Sequence, residues 1–599
     1  MKLILVLACI PALIEAEFAW SYKCGEDSVC KRVPLAETNG EYTPLPKCRL
    51  ACKAGGTLWP YPTGSVHIGS GVISVNVANF EIVAARTTRL QEAVAVFQNH
   101  YKPFTAAGDA KQVKVQFQIS DETSELDLKT DESYRLWIQT YNGNVIVVVT
   151  ALTFQGGRHG LETLSQLIQC EEQSCYMASD VLINDAPKYP WRGVLLDTSR
   201  NYFRVETIKK VIDGLSASKL NTFHWHITDT HSFPFHSKRR PRMTEWGAYS
   251  PEQIYTDEDI KDIVHYADIR GVRVVPELDA PAHSGNGYQW GEEEGLGKLA
   301  VCINKDPWEK FCVEPPCGQM NLANPNLYDV VEDIYKDMLD SFTGSAFHIG
   351  GDEVNFNCWN TTQEITDYMD SKQIPRSEEG FMELWNEYQV EALSRFKKAN
   401  GGKLKDMVLW TSHMTEPEFL HYLDPSIYTV QYWESSTNKQ LPNLVKKGFQ
   451  VIMSNYDDLY LDCGFGAWVG EGNNWCSPYK LEGNNWCSPY KGWQKIYHND
   501  PKKYLAAQGV TDPTLWANIV GGETALWTEQ AGDQNAMTKI FPRSYALAER
   551  YWSDPTTGWF EAEPRLVYFN SVMEKQRGIY GNSLKPEWCV QSQGICKLN

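Results

Sequence analysis

The residues best suited to chemistry are His348-Ile349-Gly350-Gly351-Asp352-Glu353, an apolar strand running through two glycines into two adjacent carboxylates. Such a run places the acids on a tight turn at a sheet end. Their Cα atoms must lie about 3.8 Å apart, which is awkward for gripping a glycosidic bond from opposite sides. A retaining pair needs about 5–5.5 Å between carboxyl groups facing across the anomeric carbon, and an inverting pair about 6.5–9.5 Å. Neighbours suit a division of labour on one side, one acid protonating a leaving oxygen while the other handles an adjoining substituent. A 2-acetamido sugar carries such a substituent, whose carbonyl oxygen can attack its own anomeric carbon, and the spacing permits that route. An isolated Asp-Glu pair is ordinarily a solvated turn, so the strand context has to carry the reading.

Eight short buried runs separated by helical stretches supply that context: 191–197, 221–227, 272–278, 345–351, 406–410, 427–433, 449–455 and 520–527. Eight such units over about 410 residues predict an α/β fold, a (β/α)8 TIM barrel, across 190–599. Each run ends in, or soon meets, a candidate site residue: Arg200, Asp229, His283, Asp352 with Glu353, Trp410, Trp433, Tyr460, and Trp527 with Glu529. Barrel sites gather at that face of the sheet. A doubly wound sheet would not predict eight converging ends.

Ahead of the barrel, residues 56–189 alternate strand-like runs (72–77, 113–119, 145–149) with an amphipathic helical pattern over 157–168, a small α+β domain. Residues 17–55 hold Cys24, Cys30, Cys48 and Cys52 and read as a disulfide-stapled segment. The first 16 residues read as a secretory signal: Lys2, an apolar stretch from Leu3 to Ile14, and a cleavage site after Ala16. No later run approaches the roughly 18 apolar residues that cross a bilayer. With 56 Lys+Arg against 75 Asp+Glu, a net charge of −19 and a pI near 5.2 argue against nucleic acid as a partner. Sixteen Cys suit an oxidising compartment. Removing Cys9 with the signal leaves an odd number, and the chain explains it: EGNNWCSPYK at 471–480 recurs at 482–491, so Cys476 and Cys487 compete for one partner, with Cys463 the nearest candidate. Asn360-Thr361-Thr362 is the single N-glycosylation sequon.

HIGGDE, LLDTSRN (195–201), NTFHWHITD (221–229), PELDAPAHSG (276–285), CVEPPCGQ (312–319) and ETALWTEQ (523–530) together resemble the β-N-acetylhexosaminidases of glycoside hydrolase family 20, most of all the insect chitooligosaccharide-degrading members. The resemblance runs from about Gly56 to the C-terminus, and the duplicated loop departs from it. It implies that Glu353 is the general acid and then base, with a pKa raised by burial beside an ionised Asp352. Asp352 would orient the acetamido N–H and stabilise an oxazolinium intermediate, while Tyr460 holds the acetamido oxygen. Arg200, Asp462 and Glu529 would grip the sugar hydroxyls. Trp410, Trp433 and Trp527 would wall the acetamido pocket, with at least one also filling the barrel. Trp475 or Trp486 would stack on the next sugar, with Val313 and Glu314 beyond the first subsite. Asp229 and His283 would link to the catalytic Glu.

The activity so implied is exo-hydrolysis of terminal, non-reducing β-linked N-acetylglucosamine with net retention and no cofactor, by a secreted enzyme, and the family resemblance also implies a second copy as partner in a homodimer. N-glycan ends and delivery to lysosomes stay open as alternatives. Two rivals also stay open. His224-Trp225-His226 with Asp229 behind it is an H-x-H spacing that could bind zinc, although no later strand end adds a His cluster. A carbohydrate-binding relative that keeps the fold without activity is the other.

Overall fold

The computed structural model describes residues 18–52, 56–104, 110–141, 144–466, 468–469, 487–592 and 596. The expected signal segment, Cys476, Trp475 and Trp486 lie outside the described residues.

The eight apolar runs form a closed, all-parallel barrel: β1 (Trp191–Asp197), β2 (Thr222–His226), β3 (Arg273–Glu277), β4 (Ala346–His348), β5 (Asp406–Trp410), β6 (Tyr428–Tyr432), β7 (Gln450–Met453) and β8 (Ile519–Leu526), with β8 pairing back onto β1. Because both faces of a barrel strand are covered, each reads as a continuous apolar run rather than an alternation. One face packs outward on the helices: Val194, Leu196, Phe223, Trp225 and Val274 join the large core that includes Ile208, Val211 and Ile260. The other face points inward. Trp191, Val275, Ala346, Val408, Ile452 and Val520, from six strands, pack on one another and close the barrel with apolar side chains. Further along the strands the interior turns polar, with His224, Glu277, His348, Gln431 and Glu523 all fully buried. At the C-terminal ends it turns aromatic, around Trp410 and Tyr460 with Trp433 and Trp527 against them.

The N-terminal segment is a hairpin of Trp20–Cys24 and Cys30–Pro34 with the helix Leu45–Ala51, bridged by Cys24–Cys52 and Cys30–Cys48. It is followed by a six-stranded mixed sheet in which Tyr134–Tyr141 and Asn144–Thr153 are central, flanked by Val181–Asp185 and Val113–Asp121, with Val66–Ile68 and Glu81–Val83 at the edges. The strands at Tyr134–Tyr141 and Val181–Asp185 were not expected from the sequence.

The amphipathic helix expected over 157–168 spans Phe154–Gln166, and every residue in it is buried. Its glycines seat it directly on the sheet, since a Cβ on Gly156 would meet the Ser133 carbonyl oxygen at 2.2 Å. Its polar face meets the barrel domain instead of water. Arg158 and Glu162 pair with each other, Arg577 adds a second cation to Glu162, and Arg158 donates to Ser216 Oγ at 2.7 Å. A polar stripe on a helix signals water or polar partners equally well, because burial of charge needs only that it be paired.

Seven disulfides are present among the described residues, including Cys302–Cys358, Cys312–Cys317 and Cys463–Cys487. The second loop copy therefore supplies the partner of Cys463. No described helix is long and apolar enough to cross a membrane.

Candidate active site

An open cavity of about 840 Å³ lies at the C-terminal end of the barrel, and Arg200, His283, Val313, Glu314, Asp352, Glu353, Trp433, Tyr460, Asp462, Trp527 and Glu529 all line it. The acid pair sits just past β4. Gly350 (φ +61°) makes the turn possible, because a Cβ there would collide with Asp279 at 1.8 Å, and Gly351 donates its N–H to Asp279 Oδ1 at 3.0 Å. Glu353 itself has φ +51° and His283 φ +50°. Both are left-handed conformations that cost a non-glycine residue of order 1 kcal/mol and persist only where surrounding structure enforces them.

The two acids differ in exposure: the Asp352 side chain is 13% exposed and Glu353 29%. Burial therefore falls on Asp352 rather than, as expected, on Glu353. Burial, with Glu353 and Glu277 nearby, pushes the Asp352 carboxyl up to about 6, although His283 pulls the other way. Asp352 Oδ1 is buried without a hydrogen-bond partner among the described residues. Asp279, in the PELDAPAHSG stretch, is raised well above the carboxylate range by burial and by Asp352.

Behind Glu353 stands His283, its Nε2 3.3 Å from Glu353 Oε2 and its Nδ1 3.2 Å from Asp229 Oδ2. Burial opposes charge on this ring, but Asp229, Asp279 and Asp352 raise its pKa well above the ordinary value. Burial opposes the charge of Asp229 too, yet Arg200 and His283 hold it well below the usual range. The expected Asp229–His283–Glu353 line is thus assembled in space.

Arg200 is bound on several sides: Asp229 Oδ2 at 2.6 Å, Glu314 Oε1 at 2.8 Å, and Glu529 Oε1 at 3.7 Å. Glu314, expected only as an outer contact, also anchors this guanidinium. The loop that carries Glu314 is closed by Cys312–Cys317, and Val313 beside it is 43% exposed. With Asp197 Oδ2 at 3.8 Å as well, four acids stand around one cation and charge is not balanced. Burial and Glu314 raise Glu529 well above the usual range, and burial raises Asp462 to about 7.

The aromatic walls are unequal. Trp527 lies across the cavity with Tyr460 6.0 Å away edge-on, and Trp433 is fixed by its indole N–H donating to the Thr411 carbonyl at 2.7 Å. Trp410 is fully buried, outside the cavity-lining residues and behind Trp527 at 5.9 Å, in one cluster with Trp433, Tyr460 and Trp527. Its ring turns into the barrel because its indole N–H donates to Glu277 Oε1 at 2.7 Å. Tyr460, 4% exposed, sits against β8 through a bridge to Ala525. Trp468, a lining residue 38% exposed, was not expected. Nothing in its local sequence distinguishes it from the many other Trp. Lining residues His226 and Asp279 were also missed as site residues, although both stand inside quoted motifs. Asn360 is exposed, at the end of the short helix Phe356–Asn360.

The zinc reading finds its residues engaged otherwise. His224 Nδ1 meets Glu523 Oε1 at 2.7 Å and His226 Nδ1 meets Glu277 Oε2 at 2.5 Å. His224, Glu277 and His348 do bring ligand atoms within 4.8 Å of one another. The two imidazoles, however, stack face to face at 4.6 Å and 29°, rather than converging edge-on as tetrahedral ligands must.

The chain matches a family model described as "Glycosyl hydrolase family 20, catalytic domain" over residues 189–555 and one described as "beta-acetyl hexosaminidase like" over 86–167. It is 40% identical to a chitooligosaccharidolytic beta-N-acetylglucosaminidase of Bombyx mori, covering 99% of this chain and 98% of that one. It is 39% identical to the protein of the same name from Ostrinia furnacalis, with the same coverage. A solved exo beta-N-acetylglucosaminidase from Vibrio harveyi shares the fold, with a TM-score of 0.68 at 22% identity over 89% of this chain and 79% of that one. A closed barrel with its acid pair just past the fourth strand and a model match across most of its length place this chain in glycoside hydrolase family 20.

Proposed function

We propose that this protein removes terminal, non-reducing β-linked N-acetylglucosamine from chitooligosaccharides with retention, using the acetamido group of the substrate as nucleophile. The observation that carries the reading is the unlike pair: an open Glu353 backed by His283 and Asp229, beside a buried Asp352 with an unpartnered oxygen. Glu353 protonates the glycosidic oxygen and later takes a proton from water. Asp352, ionised, accepts the acetamido N–H and offsets the positive charge of the oxazolinium ring. Tyr460 holds the acetamido carbonyl oxygen in line for attack. Trp433 and Trp527 enclose the acetamido group, with Trp410 as backing. Arg200, Asp462 and Glu529 hold the hydroxyls of the first sugar, and Val313 and Glu314 meet the next.

The preference for linear chitin fragments is supported by the two insect relatives, whose names state that substrate. Seven disulfides among the described residues and an exposed Asn360 sequon support an extracellular, glycosylated protein, and a homodimer is proposed from the family resemblance alone.

The test replaces the acetamido group of an aryl β-N-acetylglucosaminide by mono-, di- and trifluoroacetamido groups. Each fluorine weakens the carbonyl oxygen as a nucleophile, so kcat should fall steeply along the series. A flat series, or a trapped sugar bonded to a side chain, would overturn the mechanism.

A further inference from the structure

The Asp229–His283–Glu353 line does not stop at Asp229. The same Asp229 oxygen, Oδ2, also meets His226 Nε2 at 2.9 Å. His226 Nδ1 meets Glu277 Oε2 at 2.5 Å, the same oxygen lies 3.1 Å from His224 Nε2, and His224 Nδ1 meets Glu523 Oε1 at 2.7 Å. Carboxylate and imidazole alternate from the middle of the barrel to Glu353, hydrogen-bonded from Asp229 through His226 to Glu277 and from His224 to Glu523, and linked by charge alone at His224 Nε2–Glu277 and His283 Nε2–Glu353. His224, His226, Glu277 and Glu523 are completely buried. Neutral donors pin two of its carboxylates: Trp191 and Gln431 donate to Glu523, each at 2.9 Å, and Trp410 to Glu277.

Resting on the general-acid role proposed for Glu353, we infer that Glu277 is a positioning residue, holding His226 as an imidazolium whose Nε2–H fixes Asp229 and, through it, His283 and Glu353. An imidazole set between two carboxylates donates from both nitrogens only when protonated. The alternative is written into the same geometry. Arg200 Nη1 stands 3.0 Å from His226 Nε2. A neutral His226 with a bare Nε2 would accept from Arg200, and Asp229 would lose a donor. The groups facing His226 are Glu277 from β3, Asp229 from its own loop and Arg200 from the loop after β1. Asp279 from the loop after β3 also lies within 4.8 Å of His226, while His348, Glu523 and Asp352 act one step away, on Glu277, His224 or Asp279. Burial opposes charge on His226, and Glu277 and Asp229 outweigh it, raising its pKa well above the ordinary value. No proton has to travel along the column. The only proton that moves lies between His283, Glu353, the leaving oxygen and the attacking water.

Glu277→Gln keeps the shape and removes one of the two carboxylates, so His226 then loses its proton within the working range. The basic limb of kcat should move to lower pH by about one unit or more, with KM changed less than about twofold. At about pH 8 kcat should fall about tenfold or more, and acid should restore most of it. A variant that folds, by circular dichroism and melting, with the wild-type pH profile overturns the inference. So does one whose kcat is lowered equally at every pH, the mark of a merely structural role. Should Glu277→Gln not fold, a neutron structure of the wild-type crystal at about pH 8 decides: deuterium on both ring nitrogens of His226 supports the inference and deuterium on one overturns it. Glu353→Gln run alongside separates the two failures. If it keeps activity the general-acid reading falls, whereas an inactive Glu353→Gln beside an unchanged Glu277→Gln sinks this inference alone.

Discussion

Two buried clusters of charge in this molecule are built from the same residue types and behave oppositely. Where the small domain meets the N-terminal side of the barrel, Glu132 accepts from Arg192 at 2.9 and 2.7 Å, from Asn221 at 3.1 Å, and pairs with His159 at 2.8 Å. Asp185 beside it is held by Lys219 at 3.0 Å and by the hydroxyl of Tyr134 at 2.7 Å. Burial opposes charge on these acids, yet their partners outweigh it and Glu132, Asp185 and Glu162 all lie below the ordinary carboxylate range. At the opposite end Asp279, Asp352, Asp462 and Glu529 are all raised. Cations are matched to anions in the first cluster and outnumbered in the second. The first holds two domains together. The second leaves Asp352, at about 6, and Asp462, at about 7, near the point where they can exchange protons.

The comparison breaks most visibly at Glu353. Glu353→Gln should lower kcat by about 10³-fold on an aryl N-acetylglucosaminide while leaving the melting temperature unchanged. Glu132→Gln should do the reverse. It strands Arg192 in a dry interface, a loss of about 3–5 kcal/mol read by denaturant unfolding, with kcat of the folded fraction unaltered. If Glu132→Gln melts like the wild type, the interface cluster is not the structural one.

Asp352→Asn sharpens the contrast because it should cost activity and add stability. We expect a drop of about 10²-fold in kcat, since the oxazolinium loses its counter-charge. The native carboxyl, at about 6, binds its proton more tightly than at its reference value of 3.8. Its contribution to stability is therefore complete below about pH 4 and is lost as pH rises through about 6. The Asn variant should melt higher than the wild type above that window and no differently below it. Wild-type kcat/KM should likewise fall as pH drops through about 6, because Asp352 must be ionised to act. Trp468→Ala is the smallest change: about a fivefold rise in KM for chitotriose and little change for an aryl monosaccharide, by the loss of about 1 kcal/mol of stacking.

All eight barrel strands were legible in the sequence because strands buried on both sides leave unbroken apolar runs, and their ends converge by the geometry of a closed sheet. Asp352, Glu353, Tyr460, Arg200, Asp229 and His283 were legible as strand-end residues and through the family motifs. The helix Phe154–Gln166 was legible as a helix but its complete burial was not, because a sequence shows polarity without saying whether water or another domain satisfies it. The column through His226, Glu277, His224 and Glu523 was invisible for a related reason. Its members come from three strands, β2, β3 and β8, up to 299 residues apart, and only the closed barrel makes them neighbours.

The bridge from Cys463 reaches Cys487 across a separation of 24 residues, and taking out one eleven-residue unit would leave 13. Closing the longer ring costs only about 0.5 kcal/mol more, since the penalty grows with the logarithm of length. Either copy offers Cys463 the same partner, so the repeat lengthens the ring without adding a bond to it, and brings a second claimant to the one bond there is.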